Sequence, residues 1–406
     1  MTSATRLRVG LVSVGWMGRL HSRAYLRAPH HFPELPVRAE LLVAADPDPD
    51  GRDHADRVLG YRETVADYRS AITHPEVDIV SICAPNFLHR EVALAAIAAG
   101  KPFWIEKPMG RNAAESAQIA QAASEAGLVT AVGFNYRHAP AVARARELVR
   151  GGAIGRITNV RVRLLADYSA DPEGALTWRF ERARAGSGVL GDLLSHGADL
   201  AQYVTGRISS VSGLTETFIR TRPLPAVGAA SHFSRGAVGG PVGDVENEDY
   251  AAALVRFDGG AVGVVEASRI AIGPRAEYAL EVYGTTGSLR WDFQRLNELQ
   301  IADSSAGYRT VMADASFGDF ARFQPGAGTG MGFDDLKTIE AALFLASVHA
   351  HSQLAPSAAD AWAAAEISDA IERSSASGRW VDVPAVDGET TFDRRASPHP
   401  LSGSMP

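Results

Sequence analysis

A strand-length apolar run that breaks at a glycine turn and continues as a helix confines a chain to few folds. Residues 7 to 21 read LRVGLVSVGWMGRLH. Leu7 to Val14 have the length and apolarity of a strand buried on both faces. The turn that follows, Ser13-Val14-Gly15-Trp16-Met17-Gly18, falls in the register of the G-x-G-x-x-G dinucleotide fingerprint, with serine at the first glycine. In such a turn Gly15 lets the backbone approach a pyrophosphate, and Gly18 lets the helix lie close on the sheet. The free N–H groups of the helix N-terminus complete the cradle. Trp16 and Met17 lie inside the same turn and count among the candidate cofactor contacts. Ser13 departs from the pattern at a cost, because a residue with a Cβ resists positive φ.

The runs that follow repeat the theme. ELLVAAD, VDIVSICAP, PFWIEK and LVTAVGF read as four more strands. HREVALAAIAAG and AAESAQIAQAASEAG read as helices that stop at glycine. Alternating strands and helices predict a parallel sheet covered by helices, a Rossmann domain expected over residues 1–140. After about residue 155 the runs lengthen and alternate apolar with polar, as in RITNVRVRLLADY and DYAAALVRFDGGAVGVVEASRIA. They predict a second, α+β domain over residues 141–385, built on a large, mostly antiparallel sheet with one open face. FIRTRPLPAVGAASHFSRGAVGGPVGDVENED reads as a loop. Two late helices, DLKTIEAALFLASVHAHSQ and SAADAWAAAEISDAIERSSASG, are free to pack back on the first domain. The tail, residues 386–406, is expected to be poorly ordered. The fold class is α/β.

Composition excludes several partners. The net charge of −7 argues against nucleic acid and anionic membrane surfaces. No apolar run approaches the length of a bilayer span, and the first residues lack the apolar core of a secretory signal. The single cysteine, Cys83, suits a reducing, cytoplasmic setting. His30-His31 and His349/His351 have no cysteine or acidic cluster beside them, so no metal site is expected. Without a G-x-S-x-G elbow, an acyl-transfer hydrolase is not indicated.

Asp46 closes the second strand in LLVAAD. A carboxylate there accepts from a ribose 2′-hydroxyl and repels a 2′-phosphate, which favours NAD over NADP. A solvated turn residue before Pro47 is the alternative. WIEKPMG, residues 104–110, puts Glu106 and Lys107 at the carboxyl end of the fourth strand, the ligand side of an open sheet. GSGVLGDLLSHGADLAQYVTG, residues 186–206, reads as a helix with Asp192, His196 and Asp199 at i, i+4 and i+7 on one face. Asp192 either serves chemistry or simply bonds His196 within that helix. Tyr136, Arg137, Asp167, Tyr168, Trp178 and Arg179 lie in segments expected to edge the cleft. An aromatic ring with an arginine suits a sugar-like small molecule, and Trp178 reads equally well as core.

The order of these stretches resembles the Gfo/Idh/MocA family, named for glucose–fructose oxidoreductase and inositol dehydrogenase. The altered glycine turn is followed by APNFLH, EKP, NYRHAP and then G-x-L-x-D-x-x-x-H-x-x-D, over nearly the whole chain. DYSADPEGALTWRFERARAGSGVLGD looks closest to a levoglucosan dehydrogenase-like branch. The resemblance implies reversible, NAD(P)-dependent oxidation of a secondary hydroxyl on a sugar, anhydrosugar, glycoside or cyclitol to a ketone. It implies that Lys107 lies near the substrate hydroxyl and that Asp192 and His196 form the acid–base pair. It places Asn86 near the nicotinamide and Glu106 near its ribose, with Pro85, His89, Lys107 and Asn135 among the cofactor contacts. A keto-sugar reductase, an enzyme cycling a tightly held cofactor between two sugars, and a non-catalytic NAD(H) sensor are the rival readings. Lys107, Asp192 and His196, all present, favour catalysis over sensing. The open sheet suggests a homodimer or homotetramer.

Overall fold

The computed structural model of the chain describes residues 4–225, 234–237 and 239–388. The early apolar runs form β1 (Thr5–Val12), β2 (Val37–Ala45), β4 (Ile79–Ile82), β5 (Phe103–Ile105) and β6 (Thr130–Val132). A sixth strand, β3 (Glu63–Val65), has three residues and no apolar run to announce it. All pair in parallel, in the order β3-β2-β1-β4-β5-β6. This is the Rossmann order, which reverses between β1 and β4 and opens a crevice at their carboxyl ends. Helices α1 (Trp16–His31), α2 (Asn86–Ala98) and α3 (Ala113–Glu125) cover the sheet. Val9, Leu11, Ile79, Val80 and Ile105 are fully buried beneath them, each contributing about 1.5–3 kcal/mol.

The second sheet has nine strands. They are β7 (Ile157–Leu165), β8 (Ile208–Glu216), β11 (Tyr250–Phe257), β12 (Val262–Ser268), β13 (Glu277–Gly284), β14 (Gly287–Asp292), β15 (Glu298–Asp303), β16 (Ala306–Met312) and β17 (Val381–Asp382). Their order is β16-β15-β14-β13-β7-β12-β11-β8-β17, antiparallel except for the parallel β7–β12 pair. One face carries α4 (Ser195–Thr205) and α6 (Ala358–Ser377). The other leaves Leu214, Leu254 and Val262 exposed. The stretch read as a loop after β8 contains a short antiparallel ribbon, β9 (Thr221–Pro223) with β10 (Val242–Asp244). Pro223 hid it from a sequence reading, although a two-stranded ribbon is all edge and tolerates proline. Residues 226–233 and 238 of that stretch, and 389–406 of the tail, lie outside the described residues.

The late helices return to the first sheet. Helix α5 (Phe333–Ala350) lies along α1, where Asp335 meets Arg27 at 2.5 Å, and α6 lies against α3. Among the described residues no helix is long and apolar enough to cross a membrane.

Candidate active site

The cofactor turn is shaped by three residues. Ser13 adopts φ +75°, the left-handed conformation that the first glycine of the fingerprint would take freely. Its N–H donates to the Ala45 carbonyl at 2.8 Å. A Cβ on Gly18 would lie 2.0 Å from the Ser13 carbonyl oxygen, so only glycine lets α1 start this close to β1. A Cβ on Gly15 would meet nothing nearer than the Ser13 hydroxyl at 3.9 Å. The space beside Gly15 is open, and α1 has neither a side-chain cap nor an acidic residue in its first turn. Its free N–H groups therefore fit a diphosphate. The Asp46 carboxylate accepts from the N–H of Val14 at 2.6 Å and of Asp48 at 2.9 Å. One bond per oxygen ties it to the turn and leaves lone pairs for ribose hydroxyls. At 9% exposure, Asp46 is not a solvated turn residue. Trp16 is exposed and stacks on Phe333 of α5, ring centroids 5.9 Å apart.

The second half of the site gathers at the end of β5. Lys107 Nζ donates to the Asp192 carbonyl at 2.7 Å and to Asp192 Oδ1 at 3.0 Å, while the Tyr168 hydroxyl donates to Oδ2 at 2.5 Å. The segment that presents Asp192 is not the plain α-helix expected. Leu190–Leu194 winds as a π-helical turn before α4 begins at Ser195. The wider turn takes Asp192 out of α-helical register with the residues after it. The three residues expected on one face diverge accordingly. Asp192 faces Lys107 and Tyr168, His196 packs against Tyr136 with centroids 4.6 Å apart, and Asp199 meets Arg137. Asp192 thus bonds Lys107 and Tyr168, and the charges of Lys107 and Asp192 both act on His196. Burial, and then the Lys107 ammonium, hold the His196 imidazole well below its usual pKa, against the opposing pull of Glu106 and, less, of Asp192. The ring is neutral at ordinary pH.

Asn86, Tyr168, Trp178, Arg179 and Asp192 line one cleft, joined by Arg269. Asn86 donates to the Ala185 carbonyl at 3.2 Å. Trp178 meets Phe87 edge-on at 5.7 Å, with the Arg179 guanidinium 4.5 Å above its ring. Trp178 is therefore cleft wall rather than core. Asn135 follows β6, and its Nδ2 is buried without a partner, a donor that a bound ligand would satisfy. A larger cavity of about 570 Å³ lies behind the π turn, against Met109, Phe134, Leu190 and Asp369. Among the described residues no three His, Cys, Asp or Glu side chains are placed to hold a metal ion.

Other expected contacts have different partners. Glu106 turns away from any ribose into the core, where its carboxylate lies 2.5 Å from Lys337 Nζ and 2.9 Å from His21 Nε2. The ring nitrogens of His89 sit on the carbonyls of Pro108 and Ala84 at 2.8 and 2.7 Å, bracing the loop instead of reaching a cofactor. Pro85 caps α2. Arg137 is buried, its Nε on Asp199 at 2.8 Å and its fork on Asp360 at 3.1 Å, so it is not a cleft donor. Asp167 pairs with the exposed Arg275 at 2.5 Å and does not line the cleft. Tyr278, Phe293 and Phe333 were missed. They surround Tyr136 at 5.5, 5.0 and 6.4 Å, and isolated aromatics in strands and turns carry no spacing signal.

Comparison with known proteins bears on this geometry. Residues 7–134 match the model of an oxidoreductase family with an NAD-binding Rossmann fold, and residues 142–290 match the GFO/IDH/MocA C-terminal domain. The levoglucosan dehydrogenase of Pseudarthrobacter phenanthrenivorans is 40% identical over 94% of this chain and 99% of its own. The scyllo-inositol 2-dehydrogenase (NAD(+)) of Bacillus subtilis is 28% identical over 70% of this chain and 73% of its own. Among solved structures, a levoglucosan dehydrogenase in complex with NADH and levoglucosan matches with a TM-score of 0.87 and 38% identity, over 94% of this chain and all of that one.

Proposed function

Because the chain belongs to the Gfo/Idh/MocA family of oxidoreductases, we propose that it oxidises a secondary hydroxyl of a sugar, anhydrosugar or cyclitol to the ketone, with NAD as acceptor. The observation that carries this reading is the Lys107 ammonium fixed on Asp192 beside a neutral, buried His196, at the carboxyl ends of the Rossmann strands. When bound, the nicotinamide supplies the hydride acceptor. The chain supplies everything else. His196 takes the hydroxyl proton, for which a neutral imidazole is needed. Lys107 stabilises the charge that develops on the oxygen. Asp192 holds the Lys107 ammonium in place, and Tyr168 holds the second oxygen of Asp192. Trp178 offers the sugar an apolar face, and Arg179 offers donors.

Residues 1–140 serve as the cofactor-binding domain in this reading, and 141–385 bind substrate and pair subunits. The exposed apolar strip of Leu214, Leu254 and Val262 on the open sheet supports a homodimer or homotetramer. The unpaired Cys83 thiol supports a cytoplasmic enzyme.

The test is NADH absorbance with the purified protein, NAD⁺ and a panel of levoglucosan, glucose, inositols and simple glycosides. We expect NADH with an anhydrosugar or cyclitol. Silence across the panel, with NADH still quenching tryptophan fluorescence, would overturn the substrate class and keep the cofactor site.

A further inference from the structure

One buried charged cluster lies outside the mechanism above. Two carboxylates, Glu106 at the end of β5 and Glu340 on α5, share a single cation. Lys337 Nζ is 2.5 Å from Glu106 and 2.9 Å from Glu340. All three are buried, Lys337 and Glu340 almost completely. The other groups around them carry no compensating charge. Helix α1 contributes His21 and Tyr25, β4 contributes Ser81 and Cys83, β5 contributes Trp104, and the turn after β6 contributes Tyr136. Two carboxylates facing one ammonium leave one negative charge unmatched. An unmatched buried charge costs several kcal/mol, so a proton fills the gap.

His21 does not hold that proton, since burial pushes its imidazole down to about 4. Glu106 does not hold it either. Burial opposes its ionisation, but Lys337 and His21 together keep it ionised. Glu340 remains, pushed up to about 7 by burial. The cluster also reaches the reaction centre. Glu106 directly precedes Lys107, and both Glu106 and Lys337 act on His196 through their charge.

We propose that Glu340 determines which redox form of the cofactor the site prefers, by releasing its proton when the cationic ring of NAD⁺ enters and keeping it when the neutral ring of NADH enters. The proton leaves the Glu340 carboxyl for solvent, and nothing is oxidised or reduced in this step. The proposal rests on the NAD reading above. Its consequence is a preference for NAD⁺ that grows as pH rises.

Titration calorimetry of the full chain with NAD⁺ and with NADH at pH 7, in two buffers of different ionisation enthalpy, counts the protons. NAD⁺ should release about half a proton more than NADH. Fluorescence titration should show NAD⁺ affinity relative to NADH falling about tenfold between pH 8 and pH 6. In Glu340→Gln, which retains Lys107 and His196, both differences should vanish. Equal proton counts for the two nucleotides in the unmodified protein overturn the proposal without recourse to any variant. An undiminished difference in a folded Glu340→Gln protein overturns it as well. Failure of both nucleotides to bind would sink the NAD reading and this proposal together, whereas binding of both with equal counts sinks this one alone.

Discussion

The two halves of the candidate site are built from different materials. At the cofactor turn the groups offered to a diphosphate belong to the backbone, the first N–H groups of α1, with the Asp46 carboxylate beside them for the ribose, and the glycines contribute by lacking a Cβ. At the substrate side they are side chains from separate segments, Lys107, Tyr168, Asp192 and His196, of which a π turn poses Asp192. The first half tolerates little change of shape and much change of chemistry. The second is the reverse, because each charged group there depends on its neighbour's charge.

The largest effect should fall on the side-chain half. Lys107→Met removes the cation that faces the developing alkoxide, and turnover should drop about 10³-fold, close to 4 kcal/mol. NADH binding, followed by fluorescence, should hardly move, since the backbone cradle is untouched. Loss of NADH binding in that variant would show that the halves are not separable.

Acid should strike at the seam where the halves meet. His21 sits on α1 behind the turn and touches Glu106 beside the catalytic lysine. Its folded pKa, about 4, lies below the ordinary 6.5. The unfolded chain therefore binds this proton first as pH falls. The contribution of His21 is complete above pH 6.5 and declines from there toward pH 4, by about 3 kcal/mol, while protonation of Glu340, pushed up to about 7, offsets that loss over the same range. Glu106, held ionised by Lys337, adds to the loss below its own ordinary range. Urea midpoints at pH 7 and 4.5 should therefore differ little in the unmodified protein, whereas His21→Gln, which removes the loss and keeps Glu340, should become more stable at pH 4.5 than at pH 7.

Tyr168→Phe is a milder test. It frees one oxygen of Asp192 and should lower kcat about tenfold with KM little changed. A purely structural tyrosine would lower stability instead. Smallest of all is Ser13→Gly, which relieves a positive φ and should stabilise the fold by at most ~1 kcal/mol without weakening NADH binding. Destabilisation there would mean that the serine hydroxyl contributes to the turn.

The same contrast explains what was legible in the sequence. Five strands of the first sheet appear as apolar runs because they are buried on both faces, and the turn appears because glycines are needed at fixed spacing. The edge strand β3, Glu63-Thr64-Val65, is polar and only partly buried and so forms no apolar run, whereas the equally short β5 and β6 are fully buried. The π turn leaves no trace in composition, so Asp192, His196 and Asp199 read as one helical face. Glu106 and Arg137 are charged residues next to cleft residues, and only long-range packing shows that they point into the core. A lone lysine such as Lys337 in an apolar helix reads as a surface residue until its carboxylates, brought from another part of the chain, are seen beside it.

Lys337 lies 231 residues downstream of the carboxylate it neutralises. A ribosome adding about 5–20 residues each second needs roughly ten to fifty seconds to travel that distance. Through that interval the emerging first sheet has a glutamate at the carboxyl end of β5, beside His21 but without the ammonium that balances it. Glu106 must then either carry a hydrogen ion as a placeholder or keep the crevice open to water. Completion of the nucleotide-binding half thus waits on nearly the last helix to be made, and a chain cut short before α5 cannot close its own first domain around an ionised Glu106.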